Sequence, residues 1–235
     1  MPRIPKPQYK TIAPINLYAF SDLSELSTQA ATDRYVEFDG IVPPTRPFSV
    51  KLLDDSYSGW VDAKDWPKLV PAESLYVPPR VSREIVLGLM PDIIAFTHAA
   101  MATPHKYLWG GTLGPDYDCS GLTQAAYRSV GIFIPRDAFE QDEFLIPVKT
   151  TLESLEPGDL LFFGPRFREF KANHVGLYLG NGEYIHSSGP EHGRNGIGID
   201  RIFFDEADET VHPVSRHYAK TLRPTSGRCT QSFQP

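Results

Sequence analysis

The amino-acid sequence predicts an α+β fold in which a small all-β barrel precedes helices packed on an antiparallel sheet. Three observations support this prediction. Short apolar runs broken by turn formers fill residues 1–80, apolar residues at helical spacing begin near residue 82, and strand patterns follow residue 158. Helices that come before a sheet, instead of alternating with its strands, are typical of α+β architecture.

Four runs in the first part have the β-branched and aromatic enrichment of short strands. Clusters of Pro, Gly, Asp and Ser separate them, which is the pattern of a small barrel with tight connections. The runs are Ile12–Ala19, Tyr35–Val42, Ser49–Leu53 and Gly59–Val61.

The stretch "YVPPRVSRE" at 76–84 separates the two parts. Its paired prolines favour an extended connector over a packed element. We therefore predict a β-barrel domain over residues 1–80 and a second domain over residues 81–235.

Two helices are predicted at the start of the second domain. The first covers residues 82–103, with Ser82 as N-cap and an internal Pro91 that should kink the helix or split it in two. The second begins at Cys119, after a loop rich in glycine, and ends near Gly131, a natural C-cap.

A buried strand and a hairpin are predicted next. "GDLLFFG" at 158–164 has the composition of a buried strand, and "HVGLYLGNGEYIHSS" at 174–188 carries Asn181–Gly182 at its centre. An Asn-Gly pair between two apolar runs is the strongest short-range hairpin signal.

Composition excludes several classes of protein. The chain has 235 residues, 41% of them hydrophobic and 22% charged, with a net charge of −6. No Lys/Arg stripe is present, which argues against nucleic acid as a partner. The N-terminus lacks the apolar run of a secretory signal, and no stretch approaches the ~20 apolar residues of a membrane span. We therefore expect a cytoplasmic protein without membrane insertion. The sequence does not determine the oligomeric state, and we expect a monomer.

One of only two cysteines, Cys119, lies where a glycine-rich loop meets a helix. A helix N-terminus and a nearby imidazolium both lower the pKa of a thiol, so this position favours a thiolate nucleophile. The backbone N–H groups of the same helix start can stabilise an oxyanion. Neither cysteine stands in a metal-binding spacing, and no metal or organic cofactor is expected.

The hairpin supplies two candidate partners for the thiol, His174 and His186. A register centred on the turn places His174 opposite residue 189, and the two imidazoles within ~10 Å of each other on neighbouring strands. Whether they share a face depends on that register. In a Cys–His–His arrangement His174 is the base and His186 orients it.

The remaining histidines and the second cysteine have no comparable partners, and we interpret them as structural or solvent-exposed. They are His98, His105, His192, His212, His217 and Cys229.

Four motifs occur together in one order: "YLWGGTLGPDYDCSGLTQAAY", "IPRDAFEQ", "LEPGDLLFF" and "NHVGLYLGNGEYIHSSG". Over about residues 84–218 the chain resembles the NlpC family of papain-like cell-wall cysteine endopeptidases. The N-terminal part is similar to a bacterial SH3-like domain. This combination resembles the members that cut γ-D-glutamyl–diamino acid bonds in peptidoglycan stem peptides, and it implies a papain-like catalytic domain.

The resemblance implies roles for individual residues. The family's nucleophile falls on Cys119 in "DCSG", its base on His174 in "NHVGLY" and its orienting residue on His186 in "YIH". The tyrosine of the family's Tyr-x-Trp-Gly-Gly stretch falls on Tyr107, near the nucleophile, where it helps to stabilise the oxyanion.

The resemblance also implies a pocket for the N-terminal L-Ala-γ-D-Glu of the substrate. Its expected lining is Asp118 and Ser120 beside the thiol, Trp109 as a wall, Tyr57 from the β domain and Glu25 as an acidic partner of the substrate amine. One departure is Ala138, which stands where many relatives have a hydroxyl residue.

The resulting expectation is a cysteine peptidase that cuts the γ-D-glutamyl–meso-diaminopimelate bond of stem peptides with a free N-terminal L-Ala, in cell-wall recycling. A carboxylate that binds the free amine would disfavour longer, sugar-linked substrates. Two alternatives stay open: a papain-like amidase or acyltransferase, and a non-catalytic peptidoglycan-binding protein.

Overall fold

The structure, a computed structural model, describes residues 6–148, 155–163, 172–202 and 225–228. It has the predicted α+β architecture, with an antiparallel sheet followed by helices and a second antiparallel sheet. The chain forms two compact units. The first is Met1–Pro78 with Trp109–Leu113, and the second is Pro79–Leu108 with Gly114–Pro235.

The first unit is a seven-stranded antiparallel sheet in the order β3-β2-β6-β5-β4-β1-β7. In β5, Phe48, Val50 and Leu52 alternate inward with exposed residues, as a half-buried strand requires. The strands are β1 (Gln8–Thr11), β2 (Ile15–Tyr18), β3 (Leu26–Ala30), β4 (Tyr35–Glu37), β5 (Phe48–Leu52), β6 (Ser58–Val61) and β7 (Leu69–Pro71). The SH3-like assignment of this unit stays a prediction.

The short loop Trp109–Leu113 belongs to this first unit, although it lies far along the chain. The Thr112 hydroxyl donates to the Gln29 carbonyl at 2.8 Å, and Gln29 Oε1 accepts the backbone N–H groups of Thr112 and Leu113. Gly110 has φ +79°, and a Cβ there would lie 2.6 Å from the carbonyl oxygen of Leu26. Only glycine fits at this position.

The second unit contains the helices α1 (Arg83–Ala102), α2 (Cys119–Ser129) and α3 (Ala138–Phe144). In the part of this unit that the structure describes, the sheet has six antiparallel strands in the order β12-β11-β10-β9-β13-β8. They are β8 (Ile146–Val148), β9 (Leu160–Phe163), β10 (His174–Gly180), β11 (Glu183–Ser188), β12 (Gly196–Arg201) and β13 (Thr225–Arg228). Helix α2 packs on β10 and β11, and its residues from Cys119 to Tyr127 are all buried.

Helix α1 begins as predicted, with the Ser82 side chain accepting the N–H of Ile85. It continues through Pro91 as one helix to Ala102, so of the two predicted effects of Pro91 the split does not occur and the kink stays a prediction. A proline costs an interior helix one hydrogen bond, and packing against α2 and β12 stabilises the helix here.

Among the described residues, α1 is also long and apolar enough to cross a bilayer by length and composition alone, with 20 residues and a mean hydropathy of 1.6. The sequence prediction that no stretch reaches this length is therefore wrong. Core helices of soluble proteins meet the same criterion and are mostly buried, whereas 17% of this stretch is buried, including Val86, Ile93 and Thr97.

The hairpin between β10 and β11 turns at Asn181–Gly182, as predicted, with both residues at positive φ. A bulge between Tyr178 and Gly180 shifts the register by one residue, so that Leu177 pairs with Ile185. Continued along the strands, this pairing places His174 opposite Ser188 instead of residue 189. Because side chains alternate between faces, the shift brings His174 and His186 to the same face of the sheet.

Candidate active site

Cys119 is the first residue of α2, and the side chain of the N-cap residue Asp118 accepts the N–H of Gly121 at 2.7 Å. The cysteine is 7% exposed. The backbone N–H groups of Ser120 and Val175 act on its sulfur and lower the pKa of the thiol. Since Val175 follows His174 on β10, the thiol lies against the strand that carries the predicted base.

The thiol is not the preformed thiolate that its helix position predicts. Burial raises the pKa of Cys119 to about 12, and the neighbouring Asp118 charge adds to the increase. The Val175 amide, the Arg136 charge and the Ser120 amide lower this pKa but do not outweigh the burial. The start of a helix stabilises a thiolate by about 0.3–1 kcal/mol, whereas removing an ion from water costs several kcal/mol. The prediction of a lowered thiol pKa is therefore wrong.

The partner base is neutral as well. Burial lowers the pKa of His174 well below its ordinary value, and the nearby His186 and His192 lower it further. The resting pair is thus a thiol and a neutral imidazole. Such a pair reacts when the imidazole takes the thiol proton during attack on the substrate.

A chain of short hydrogen bonds leads away from the base. His174 Nε2 lies 2.7 Å from His186 Nδ1, His186 Nε2 lies 2.7 Å from Asp200 Oδ2, and Arg194 Nη2 donates to Asp200 Oδ1 at 2.6 Å. His174, His186 and Asp200 are all nearly inaccessible to solvent. They stand on the adjacent strands β10, β11 and β12, and we refer to these three residues as the His–His–Asp chain.

Two glycines leave room for the side chains of the His–His–Asp chain and of Arg194. A Cβ on Gly176 would lie 2.5 Å from Tyr184 Cδ2 and 3.3 Å from His186 Cβ. Gly198 is paired with His186 across β11 and β12, and a Cβ on it would overlap the guanidinium of Arg194. A larger residue at either position would displace a member of the site.

Sequence reasoning missed Asp200 and Arg194. The available signal was an acidic residue inside the apolar strand "GIGID", since buried charges in strands are rarely left without a partner. The sequence did not reveal that β12, which carries Asp200, would pair with β11, which carries His186.

Sequence reasoning also missed Arg136, which is 2% exposed. Its Nη2 donates to Asp118 Oδ2 at 2.5 Å, and its Nη1 donates to Asp118 Oδ1 at 3.2 Å and to Ser120 Oγ at 2.8 Å. The residues on either side of the nucleophile are thus held by one buried guanidinium. The assignment of Asp118 and Ser120 to the substrate stays a prediction.

Tyr107 is half-buried and forms a bridge with Tyr117, two residues before the nucleophile. Its N–H donates to Asn195 Oδ1 at 3.1 Å. The neighbouring His105 contacts the backbone of Ile197 through Nε2, which agrees with a structural role. The oxyanion role of Tyr107 stays a prediction.

Three predicted substrate contacts lie in the first unit. Trp109 is 64% exposed, Tyr57 is half-buried and its carbonyl accepts the N–H of Leu52, and Glu25 is exposed. Their roles stay predictions. His212, His217 and Cys229 lie outside the described residues.

Residues 104–219, which include Cys119 and the His–His–Asp chain, match the model of the NlpC/P60 family. The chain is similar to a γ-D-glutamyl-L-lysine dipeptidyl-peptidase of Bacillus cereus, at 43% identity over 81 residues, covering 34% of this chain and 24% of that protein. It is also similar to dipeptidyl-peptidase 6 of Lysinibacillus sphaericus, at 38% identity over 126 residues, covering 53% of this chain and 39% of that protein.

The chain therefore spans between about a quarter and two fifths of the length of these curated relatives. Among solved structures it is similar to an NlpC/P60 family protein from Bacillus cereus. That match has 22% identity and a TM-score of 0.47, and it covers 96% of this chain and 64% of the other.

Proposed function

We propose that this chain is a member of the NlpC/P60 family, whose model matches residues 104–219, and that it is a cysteine endopeptidase acting on peptidoglycan stem peptides. The bond cut joins γ-D-glutamate to a diamino acid. The observation that carries the proposal is the placement of the Cys119 thiol at a helix start, against the strand of a buried, hydrogen-bonded His174.

The residues support a two-step acyl transfer. Cys119 Sγ attacks the γ-glutamyl carbonyl carbon while His174 takes the thiol proton, and the carbonyl electrons move to the oxygen. Backbone N–H groups of the first turn of α2 stabilise that oxyanion. When the C–N bond breaks, His174 gives its proton to the leaving amine of the diamino acid.

A thioester between Cys119 and the γ-glutamyl group remains after the first step. Water attacks it, with His174 now removing a proton from the water, and the thiol leaves with that proton. The products are L-Ala-γ-D-Glu and the diamino acid. Because the resting thiol and imidazole are both neutral, no ion pair has to be buried before substrate binds.

The substrate we propose is a stem peptide with a free N-terminal L-Ala, and meso-diaminopimelate as the diamino acid. The family resemblance of "DCSG" and the name of the similar Bacillus cereus protein, a γ-D-glutamyl-L-lysine dipeptidyl-peptidase, support a γ-D-glutamyl substrate. A preference for loose peptides fits a role in cell-wall recycling inside the cell, which we propose with it.

The test is incubation of the purified chain with L-Ala-γ-D-Glu-meso-diaminopimelate and with its L-lysine analogue, followed by mass spectrometry of the products. Release of L-Ala-γ-D-Glu is expected, and it should be abolished in Cys119→Ala. Cys229→Ala, which changes the other cysteine, is the matched control and should retain activity. A muramyl-linked tripeptide should be cut more slowly than the free one.

Other outcomes would identify the alternatives. Transfer of the acyl group to an added amine in preference to water would indicate an acyltransferase. Binding of the tripeptide without turnover by the intact chain would indicate a peptidoglycan-binding protein and would overturn the proposal.

A further inference from the structure

The hydrogen bonds that begin at His174, the base of the proposed mechanism, continue through His186 to Asp200 and Arg194. Asp200 accepts from His186 through Oδ2 and from Arg194 through Oδ1. The aspartate is 3% exposed, and its β12 neighbour Gly198 lacks the side chain that would block Arg194. A buried carboxylate held in this way by two donors has a fixed orientation.

We propose that Asp200, oriented by Arg194, is a positioning residue that sets the tautomers of both histidines and keeps the Nδ1 lone pair of His174 available for the Cys119 proton. This inference rests on the proposed function.

The position of each hydrogen is determined by which atoms can donate. A guanidinium only donates and a carboxylate only accepts, so the hydrogen between His186 Nε2 and Asp200 must belong to the histidine. In a neutral imidazole the other nitrogen is then an acceptor. His186 Nδ1 therefore accepts, and His174 Nε2 must carry the hydrogen of the 2.7 Å bond between the rings. The remaining nitrogen, His174 Nδ1, is left with a lone pair.

Burial supports the neutral form that this argument requires. It lowers the pKa of His186, and the opposing effect of Asp200 does not outweigh it. The charged or titratable groups that act on this ring are Asp200, Arg194 and His192. A neutral imidazole has one donor and one acceptor nitrogen. The hydrogen that His186 donates to Asp200 therefore determines which nitrogen of His174 carries its hydrogen.

The register of the sheet makes the chain possible. His186 pairs with Gly198 and Tyr184 pairs with Asp200, so the carboxylate stands diagonally from His186 on the same face. Diagonal neighbours on antiparallel strands lie about 7–8 Å apart, within reach of these side chains. The bulge between β10 and β11 places His174 on that face as well.

The decisive variant is Asp200→Asn. Arg194 needs an acceptor, so the single amide oxygen would face the guanidinium and the NH₂ group would face His186 Nε2. That nitrogen would have to accept, and both histidines would change tautomer. His174 would then present an N–H to the thiol and could not take its proton. In a serine protease with a Ser-His-Asp triad, the same Asp→Asn change imposes the wrong histidine tautomer and lowers kcat about 10⁴-fold. Because Asp200 acts here through a second histidine, we expect a loss on the order of 10³-fold with little change in KM.

A second substitution should reverse that loss. In Arg194→Met/Asp200→Asn the guanidinium is gone, so the amide is free to turn its oxygen towards His186 and restore the original tautomers. We expect the double variant to be at least about tenfold more active than Asp200→Asn, whereas Arg194→Met alone loses less than about tenfold. A purely structural Asp200 predicts that the double variant is no better than the single one.

The tautomers can be observed directly by ¹⁵N NMR of histidine-labelled protein, without any substrate. Both His174 and His186 should carry the proton on Nε2 in the natural chain and on Nδ1 in folded Asp200→Asn. This result keeps the inference testable even if the proposed peptidase activity is not found. Unchanged tautomers in folded Asp200→Asn, or a double variant as impaired as the single one, would overturn it.

Discussion

Arg136→Met should destabilise the second unit because it leaves a charge buried beside the nucleophile. The guanidinium is 2% exposed and holds both oxygens of Asp118, a carboxylate that is itself 5% exposed, and the Ser120 hydroxyl. Breaking a buried ion pair by removing one partner costs about 3–5 kcal/mol. For a unit of this size that corresponds to a decrease in Tm of roughly 6–20 °C.

The measurement is thermal unfolding followed by circular dichroism, together with a double-mutant cycle. Asp118→Asn keeps a side-chain oxygen for the N-cap of α2 and removes the charge, so the double variant Asp118→Asn/Arg136→Met should recover much of the loss. Arg136→Lys keeps the charge without the bidentate geometry, so its Tm should lie between those of the natural chain and of Arg136→Met. A cost below about 1 kcal/mol for Arg136→Met, or no recovery in the double variant, would show that the ion pair does not hold this site.

Two further predictions follow from the burial of the site and from its glycines. Because the pKa of His174 is lowered well below the ordinary value of 6.5, the base stays neutral at pH values somewhat below 6.5. We therefore expect kcat/KM to stay constant below pH 6.5 and to fall only as the pH drops through the lowered pKa. A pH–rate profile with its acid limb at or above 6.5 contradicts this. Gly198→Ala should displace Arg194 from Asp200 and, like Arg194→Met, lower kcat by up to about tenfold. Gly88→Ala on α1, whose added methyl meets nothing within 4 Å, should leave kcat unchanged and stabilise the helix by about 0.5–1 kcal/mol. Steady-state kinetics and thermal unfolding of both variants check the pair, and equal kcat values would refute it.

Burial explains why the thiol is a thiol and not a thiolate at rest. The helix start and two backbone N–H groups favour the anion, but each contributes less than the loss of water around a charged sulfur. The site therefore depends on a correctly protonated base, since proton removal and attack have to occur together. This makes the tautomer of His174 more important than it would be in an exposed thiolate–imidazolium pair.

Much of the fold could be predicted from the sequence because its signals are local. The Ser82 cap, the helix that starts at Cys119 and the Asn181–Gly182 turn each depend on a few neighbouring residues, and all three are confirmed. Strands β1 and β3 were missed. Their sequences, "QYKT" and "LSTQA", are short and largely polar, and the residues that they bury include Thr11 and Thr28. Such strands lack the apolar alternation on which sequence-based prediction relies.

The sequence by itself determined the order of the elements and the types of residue available for chemistry: one thiol at a helix start and two histidines on a hairpin. Only the tertiary structure decided which of these groups meet and in what charge state. One bulge sets the face on which His174 lies, strand order brings Asp200 to His186, and burial sets the pKa of Cys119. The physical reason is that register and desolvation depend on atoms distant along the chain, whereas caps and turns depend on adjacent ones.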